Sequence, residues 1–208
     1  MPATGWYERR LLPYVLDFAC GLKAIRRQRE KVVPLASGRV LEVGIGTGLN
    51  MRFYDRSRVT KLVGIDPAAA MHRLAAGRIA AAGLDVELLA LSAERIPVAD
   101  GSFDSIVLTY TLCSIPDPVA ALREMRRVLK PGGRLLFCEH GRAPDDPVRR
   151  WQERLQPWWG ALAGVCQLGR DIPQLLVSGG FALPELHTGY IPGPRFAAFN
   201  YWGTAEAG

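Results

Sequence analysis

The stretch that most constrains the fold is residues 40–48, which read Val-Leu-Glu-Val-Gly-Ile-Gly-Thr-Gly. Its first half is apolar and rich in β-branched residues, a composition typical of a buried strand. The strand ends at Gly44, and glycine recurs at every second position after it, which allows a tight turn and lets a ligand contact the backbone. The following segment, 49–54, is predicted to start a helix whose free N–H groups favour a polar or anionic ligand. Together these features predict a nucleotide-type ligand.

The glycine spacing narrows the choice of nucleotide. A dinucleotide-binding loop has the pattern G-x-G-x-x-G, but the third glycine position is occupied by Leu49. A P-loop ends in Gly-Lys-Ser/Thr, whereas Leu49 and Asn50 follow the last glycine here. The observed pattern is an acid inside the strand followed by three alternating glycines: Glu42, Gly44, Gly46 and Gly48. The loop alone leaves a glycine-rich surface turn as the alternative.

Composition indicates a folded intracellular protein. With 208 residues, 49% of them hydrophobic and 22% charged, the chain can bury a substantial core without cross-links. Its four cysteines are far apart and form no C-x-x-C pair, which predicts neither a disulfide framework nor a metal site and favours a reducing cytoplasm. The sequence has no signal-peptide pattern and no apolar run long enough for a membrane span. The net charge of +6 suits acidic partners, nucleic acid or anionic lipid, and is also common in proteins without such partners.

Predicted strands alternate with predicted helices. The strands are expected at 40–43, 61–65, 86–91, 103–110 and 134–138, with helices at 68–82 and 118–129 between them. This alternation predicts a mostly parallel α/β sheet with right-handed crossovers. Two further helices, at 12–19 and 22–33, precede the first strand and are expected to lie across the ligand pocket as a lid. After the fifth strand we expect a helix at 147–162, a short helix capped by Asp171, and a hairpin formed by 181–190 and 195–204.

Polar residues stand at the carboxyl ends of these strands, where ligands bind in open α/β sheets. Asp66 ends the second strand 18 residues after Gly48, close to the separation at which an acid reaches a ribose hydroxyl. The alternative for Asp66 is a helix N-cap. Met71, one turn into the following helix, can contact an adenine face or simply belong to the core.

Five ordered motifs across residues 38–140 resemble the type 11 group of class I S-adenosylmethionine (SAM) methyltransferases. They are Glu42-x-Gly-x-Gly-x-Gly, Gly-Ile-Asp66-Pro, Ala93-Glu94-x-Ile-Pro, Asp100-Gly-Ser-Phe-Asp and Leu129-Lys-Pro-Gly-Gly. The resemblance implies a Rossmann-like, seven-stranded, mostly parallel sheet with an antiparallel last strand and helices on both faces. It also implies one domain over 1–208, with an N-terminal helical cap (1–35), a SAM-binding core (36–140) and substrate-side helices with a closing hairpin (141–208).

The same resemblance assigns roles to individual residues. The three glycines would line the methionine end of SAM, and Asp66 would hold the ribose. Ala93 and its neighbours would face the adenine edge, with Thr109 beneath the sulfonium. Ser92 stands where many relatives have aspartate, so the contact to the adenine amino group passes to Glu94 or to a backbone carbonyl.

A narrower likeness covers segments outside that core. Thr-Leu-Cys113-Ser, Phe-Cys-Glu139-His140 and Gly-Val-Cys166-Gln-Leu-Gly-Arg-Asp are similar to a subgroup that contains the animal alkyl-thiol methyltransferases. Bacterial relatives near it are often labelled phospholipid N-methyltransferase-like. The animal enzymes carry a hydrophobic N-terminal segment that is absent here, which leaves only transient, peripheral contact with a membrane surface open. The aromatic-rich helix at 147–162 is expected to form a substrate lid, to face lipid or to pack on the sheet edge.

Methyl transfer requires alignment, a dry pocket and, for some acceptors, a base. The first candidate for a base is His140, just past the fifth strand, with Glu139 to orient it; the alternative is a structural histidine. Tyr110 lies past the fourth strand, where acceptors bind in this fold. The sequence therefore predicts a SAM-dependent methyltransferase, yielding S-adenosylhomocysteine (SAH), that acts on a small lipophilic acceptor, with a thiol favoured. The alternatives are a phospholipid or amine N-methyltransferase and a SAM-binding protein without catalysis.

The sequence also bears on other partners. It reads Thr109-Tyr110-Thr-Leu after the fourth strand and so lacks the Asn/Asp-Pro-Pro-Tyr/Phe motif typical of nucleic-acid methylation. Nucleic acid is therefore not an expected partner. The sequence leaves the oligomeric state open.

Overall fold

A computed structural model describes residues 5–208 of the protein, and within them seven strands form one sheet in the order β3-β2-β1-β4-β5-β7-β6. The strands are β1 (Gly38–Val43), β2 (Val59–Ile65), β3 (Val86–Leu89), β4 (Phe103–Thr109), β5 (Leu129–His140), β6 (Phe181–Tyr190) and β7 (Phe199–Ala207). β1 to β5 pair in parallel, and β7 runs antiparallel to both of its neighbours. This topology confirms the predicted Rossmann-like sheet with its antiparallel last strand.

Eight α-helices accompany the sheet in the described part of the chain. They are α1 (Trp6–Arg10), α2 (Leu12–Cys20), α3 (Lys23–Val32), α4 (Ala69–Ala82), α5 (Pro118–Val128), α6 (Asp146–Leu162), α7 (Ile172–Ser178) and α8 (Arg195–Ala198). Residues 1–4 of the predicted N-terminal cap lie outside the described residues. No helix of residues 5–208 combines the length and the apolarity that crossing a membrane requires.

The core consists of two apolar layers, one on each face of the sheet. Side chains alternate across a strand, so neighbouring residues of one strand enter different layers. Leu41 of β1 joins the layer that contains Leu122 of α5, whereas the preceding residue, Val40, joins the layer that contains Val32 of α3. The helices therefore cover both faces, as predicted.

Four local predictions are wrong. The helix expected at 49–54 is only a 3₁₀ turn (Met51–Phe53), because the side chains of Asn50 and Tyr54 turn back onto Glu42. β5 begins at Leu129, so the Lys-Pro-Gly-Gly segment extends the strand through a register shift against β4. β3 ends at Leu89, and the last strand is preceded by the short helix α8.

The aromatic helix α6 does not bury one continuous apolar face. Its buried anchor is Gln152, whose Nε2 donates to the carbonyls of Gly141, Leu168 and Phe196 at 3.0–3.1 Å. Trp159 packs edge-on against Phe196, but Trp158 is 74% exposed. Part of the aromatic face of α6 is therefore left toward solvent.

Candidate cofactor and acceptor site

A cavity of about 320 Å³ opens at the carboxyl ends of β1, β2 and β4, the edge where the sequence places its polar residues. Helix α2 and the segment after α6 cover it, through Leu12, Leu16 and Val165. The N-terminal helices thus line the cavity, in the position expected of a lid. The predicted site residues on its wall are Gly44, Gly46, Asp66, Met71, Ser92, Ala93, Thr109 and Tyr110.

The glycines of the loop differ in what they face. All three have positive φ: +71° at Gly44, +54° at Gly46 and +77° at Gly48. A Cβ on Gly44 would overlap the side chain of Thr111, and one on Gly48 would lie 3.3 Å from Ala75 of α4. A Cβ on Gly46 would meet only the loop's own backbone, at 3.8 Å. Gly46 therefore leaves room for a ligand. Gly48 does not line the cavity, and its lack of a side chain permits close packing on α4.

Asp66 ties the glycine loop to the second strand. Its Oδ2 accepts a hydrogen bond from the backbone N–H of Gly46 at 3.0 Å, and its Oδ1 accepts one from Ala68 at 2.8 Å. Burial raises the pKa of this carboxyl, while the two backbone donors lower it. Ala68, rather than Asp66, occupies the N-cap position of α4, so the simple capping alternative is wrong.

Glu42 lies beneath the loop and does not line the cavity. It accepts hydrogen bonds from Asn50 Nδ2 at 2.9 Å and from the Tyr54 hydroxyl at 2.7 Å. Burial raises the pKa of Glu42 to about 7, against these hydrogen bonds and the nearby charge of Arg29. This placement makes Glu42 a support for the loop rather than a direct ligand contact.

Two residues predicted for the adenine side are engaged with each other. The Ser92 hydroxyl donates to Glu94 Oε2 at 2.8 Å, and Glu94 Oε1 accepts from the N–H of Asp117 at 2.8 Å. Ser92 and Ala93 line the cavity, but Glu94 does not. The predicted contact from Glu94 to the adenine amino group therefore has no support in its position, and a backbone carbonyl is left as the predicted partner.

Tyr110 stands at the end of β4 in a strained conformation. Its φ is +53°, a region that tyrosine rarely occupies and that often marks functional sites. Its hydroxyl donates to Asn200 Oδ1 at 2.6 Å, and the Arg29 guanidinium lies 5.1 Å from its ring centre. Burial raises the pKa of Tyr110 well above its ordinary value, which opposes a role as a base. Its place on the cavity wall suits contact with an acceptor.

His140 is buried behind the cavity wall rather than on it. Its Nε2 lies 3.2 Å from Cys166 Sγ, and its Nδ1 has no partner among the described residues. Burial alone would lower the pKa of His140, but the neighbouring Cys113 raises it. This position does not support direct proton transfer from an acceptor, so the assignment of His140 as the base stays a prediction without geometric support.

Glu139 does not orient His140, contrary to the prediction. Its carboxylate accepts hydrogen bonds from the backbone N–H groups of Thr111 and Leu112, at 2.8 and 3.1 Å. Burial raises its pKa to about 8 despite these donors. Glu139 therefore fixes the loop after β4, which carries the wall residues Thr111 and Ser114.

Two features of the site were not predicted from the sequence. Asp17 of α2 accepts from Arg78 Nη1 and Nη2 at 2.6 and 3.0 Å and from the hydroxyl of Thr47, so the lid helix is fastened to α4 and to the glycine loop. The other feature is a cluster of Cys113, His140 and Cys166, although these residues are 26 or more positions apart. Neither set shows a recognisable spacing, so the sequence offers no signal for them.

The cavity fits the groups of SAM. The open space beside Gly46 accepts a ligand against the backbone, and the Asp66 carboxylate on the wall can accept hydrogen bonds from ribose hydroxyls. Arg29 is buried on the same wall, and its Nε has no partner among the described residues. The positive charge of a guanidinium on this wall suits a carboxylate such as that of the methionine moiety.

Comparisons with known proteins agree with this geometry. The family model described as "Methyltransferase domain" matches residues 41–137. The chain is 38% identical over 143 residues to human thiol S-methyltransferase TMT1B, which covers 65% of the chain and 57% of that protein. It is 36% identical over 191 residues to human thiol S-methyltransferase TMT1A, covering 87% of the chain and 77% of the relative.

Other relatives differ in their named activity. A demethylmenaquinone methyltransferase of Thermus thermophilus is 32% identical over 181 residues, covering 84% of the chain and 81% of that protein. The crystal structure of a SAM-dependent methyltransferase from Thermotoga maritima superposes with a TM-score of 0.69 over 97% of the chain and 98% of that structure, at 23% identity. The chain spans little more than half the length of TMT1B, at 57%. Taken together, the matches show that the chain belongs to the SAM-dependent methyltransferases of the type 11 group.

Proposed function

We propose that the protein transfers the methyl group of SAM to a small lipophilic acceptor, and that this acceptor is preferably a thiol. SAM supplies a methyl group already activated by a positively charged sulfonium. The protein then has to align an acceptor in line with that group and to keep water out. Apolar side chains of Leu12, Leu16, Ile115 and Val165 on the cavity wall suit both tasks.

The observation that carries the thiol preference is that the bases on the cavity wall are already engaged. Of the described residues, those that line the cavity include no histidine and no lysine. Its two carboxylates accept hydrogen bonds within the protein, Asp17 from Arg78 and Asp66 from backbone N–H groups, and the Tyr110 hydroxyl donates to Asn200. A thiol with a pKa near that of cysteine is a few per cent thiolate near neutral pH and is intrinsically very nucleophilic, so it depends least on a base. Amines and phenols depend more strongly on a base. An acceptor that ionises by itself therefore suits this cavity best.

The fate of each group in the proposed reaction follows from this. The acceptor thiol would lose its proton to solvent, and the resulting thiolate sulfur would form a bond to the methyl carbon as the bond from that carbon to the sulfonium sulfur breaks. The electron pair of the broken bond would stay on that sulfur, so that SAH leaves as a neutral thioether. Arg29 on the cavity wall supplies a buried positive charge that favours an anionic acceptor or carboxylate nearby. Tyr110 and Thr109 at the end of β4 would position the acceptor against the methyl group.

A second candidate, a phospholipid or amine N-methyltransferase at a membrane surface, is favoured by one observation. Large apolar side chains around the lid are exposed: Phe18 of α2 by 76%, Trp158 of α6 by 74% and Leu162 by 63%. Tyr7 donates to the Leu162 carbonyl, so the N-terminal helices and the end of α6 adjoin. Arg10 of α1 and Arg154 of α6 are also exposed, and exposed apolar side chains together with basic ones are typical of contact with an anionic lipid surface.

Two experiments test the proposal: a binding titration with the cofactor and its product, and an activity assay with a panel of acceptors. Calorimetry with SAM and with SAH should show binding of both to the purified chain. SAH formation should then be fastest with an alkanethiol such as hexanethiol, compared with phosphatidylethanolamine vesicles and with a demethylmenaquinone. Faster turnover of phosphatidylethanolamine would favour the second candidate, and binding without turnover of any acceptor would indicate a non-catalytic SAM-binding protein.

The surface contact has its own test. Co-sedimentation with phosphatidylglycerol vesicles should be reduced in the double variant Phe18→Ser/Trp158→Ser. Val177→Ser is the matched control, because Val177 is 56% exposed on α7, outside the lid helices. Equal sedimentation of all three proteins would argue against membrane contact through the lid.

A further inference from the structure

Three metal-ligating side chains converge behind the part of the cavity wall that α2, the loop after β4 and the segment after α6 form, which we call the acceptor end. Cys113 follows β4, His140 ends β5, and Cys166 lies in the segment after α6. One ligand atom from each lies within 4.8 Å of the other two. Both thiols are free, and all three residues are at least nine-tenths buried.

The separations match those around one tetrahedral ion. Zinc holds sulfur at ~2.3 Å and imidazole nitrogen at ~2.1 Å, so a sulfur and a nitrogen on the same ion are roughly 3.6 Å apart. Cys166 Sγ and His140 Nε2 are 3.2 Å apart, and the widest separation in the cluster is within 4.8 Å. Two sulfurs on the same ion are roughly 3.8 Å apart, so a shift of up to about 1 Å would admit an ion.

The polar atoms of the cluster are poorly satisfied by the protein. His140 Nδ1 is buried and has no partner among the described residues, and Nε2 has only a thiol. Thiols are weak hydrogen-bond donors and acceptors, so the imidazole has no strong partner. Buried polar groups are normally paired, and an ion bound at Nε2 would give the imidazole a strong partner in place of the thiol.

We infer that Cys113, His140 and Cys166 form a binding site for a thiophilic divalent cation, for which Zn²⁺ is the best match. Two thiolates and one imidazole are a ligand set that zinc uses with its fourth position open to water or to another ligand. Hard cations such as Mg²⁺ and Ca²⁺ are excluded because they require oxygen ligands. The two ligating thiols release their protons when the ion binds.

The site adjoins the cavity through Ser114. The Ser114 hydroxyl lies 3.5 Å from Cys113 Sγ, and Ser114 itself lines the cavity wall. The cluster is therefore separated from the acceptor end by a single residue. Loss of the ion would therefore first change the conformation of the loop from Tyr110 to Ser114.

Co²⁺ substitution tests the site without reference to turnover. The full chain, purified without a histidine tag and kept reduced, is titrated with Co²⁺ and read by absorption. We expect one equivalent to produce thiolate-to-cobalt charge-transfer bands and the visible bands of a tetrahedral ion, which one equivalent of Zn²⁺ then removes. Complete absence of thiolate-to-cobalt bands in excess Co²⁺ would overturn the inference.

Single substitutions locate the ligands. Cys113→Ala, His140→Ala and Cys166→Ala should each weaken Co²⁺ and Zn²⁺ at least ~100-fold, because even outer-shell changes cost up to that factor. Cys138→Ala is the matched control: Cys138 is equally buried on β5 but lies outside the cluster. Retained affinity in His140→Ala or in either cluster cysteine variant would contradict the assignment.

Thiol labelling of the unmodified protein covers the case in which a variant fails to fold. Alkylation of Cys113 and Cys166 should be slower with Zn²⁺ than in the metal-free protein, whereas Cys20 and Cys138 should react at the same rate in both, as mapped by mass spectrometry. Protection of other cysteines, or of none, would count against the site. A Cys113–Cys166 disulfide in metal-free protein that Zn²⁺ cannot prevent would likewise overturn it.

Discussion

The two ends of the cavity are built in different ways. The cofactor end consists of one continuous unit, β1 with its glycine loop, joined to the end of β2 by the hydrogen bond from Gly46 to Asp66. The acceptor end is assembled from single side chains of distant segments: α2, the loop after β4 and the segment after α6. The geometry of the cofactor end is set by the backbone conformation of a few consecutive residues. The geometry of the acceptor end is set by the tertiary fold, which brings distant segments together.

Because of this difference, substitutions at the two ends should have different effects on ligand binding. At the cofactor end, a side chain added at Gly46 would enter the open space beside the loop. At the acceptor end, side chains can be exchanged while the cavity keeps its walls, so substrate preference is free to vary among proteins with the same cofactor. The different activities named for TMT1A and for the Thermus thermophilus relative are consistent with that freedom.

The largest effect is expected from Gly46→Val. A branched side chain there would fill the open space beside the loop, and we expect SAM affinity to fall by ~1,000-fold or more, which is roughly 4 kcal/mol. Gly132→Val is the matched control, because Gly132 also has positive φ (+75°) and an added Cβ would meet nothing within 4 Å, but it lies at the start of β5. Calorimetry should show loss of SAM binding in Gly46→Val and normal SAM binding in Gly132→Val. Tight SAM binding by Gly46→Val would show that SAM does not bind beside the glycine loop.

The second-largest effect on SAM affinity is expected from Asp66→Ala. It removes the proposed ribose contact and also frees the N–H groups of Gly46 and Ala68, so we expect SAM to bind ~100-fold more weakly. Asp66→Asn keeps an acceptor for one of these groups and should lose less. Circular dichroism checks that both variants fold, and an unchanged dissociation constant in Asp66→Ala would remove the ribose assignment.

The difference between the two ends also explains which features could be predicted from the sequence and which could not. The alternating glycines and Asp66 lie in strand-turn units whose pattern is local, so the sheet, its order of elements and the position of Gly46 and Asp66 at the cavity were predictable. The contacts of Glu139 were not, because its proximity to Thr111 depends on the pairing of β5 with β4. The helix expected after Gly48 failed for a related reason: the Glu42 carboxylate draws Asn50 and Tyr54 inward.

Each end of the cavity rests on a buried glutamate, and their protonation should make stability depend on pH. Burial raises the pKa of Glu42 to about 7 and that of Glu139 to about 8, from an ordinary value of 4.5. Both are raised in the folded protein, so their stabilising contribution is complete below pH ~4.5 and is lost as pH rises through 7 and 8. Each group contributes at most one proton, or ~1.4 kcal/mol per pH unit.

Urea unfolding between pH 5 and 8 measures this dependence. The free energy of unfolding of the wild type should fall with pH, and Glu42→Gln should flatten the part of the curve below about pH 7. Glu139→Gln should flatten the curve up to about pH 8, on top of a pH-independent loss from the N–H of Thr111 or Leu112 that it leaves unpaired. Curves that stay parallel to the wild type would show that both carboxylates remain ionised in the fold.

The smallest effect is expected from Asp17→Asn, at the point where the lid joins the cofactor end. Asp17 accepts two hydrogen bonds from Arg78, which lower its pKa, and its side chain is 28% exposed. A partly exposed ion pair contributes about 1 kcal/mol, so we expect SAH to dissociate ~5-fold faster in a stopped-flow displacement experiment, and less so at high salt. Glu30→Gln is the control, since Glu30 pairs with Arg26 on α3 at 3.7 Å. If Asp17→Asn releases SAH at the wild-type rate, α2 does not have to move for the product to leave, and the helix would be a fixed wall of the acceptor end.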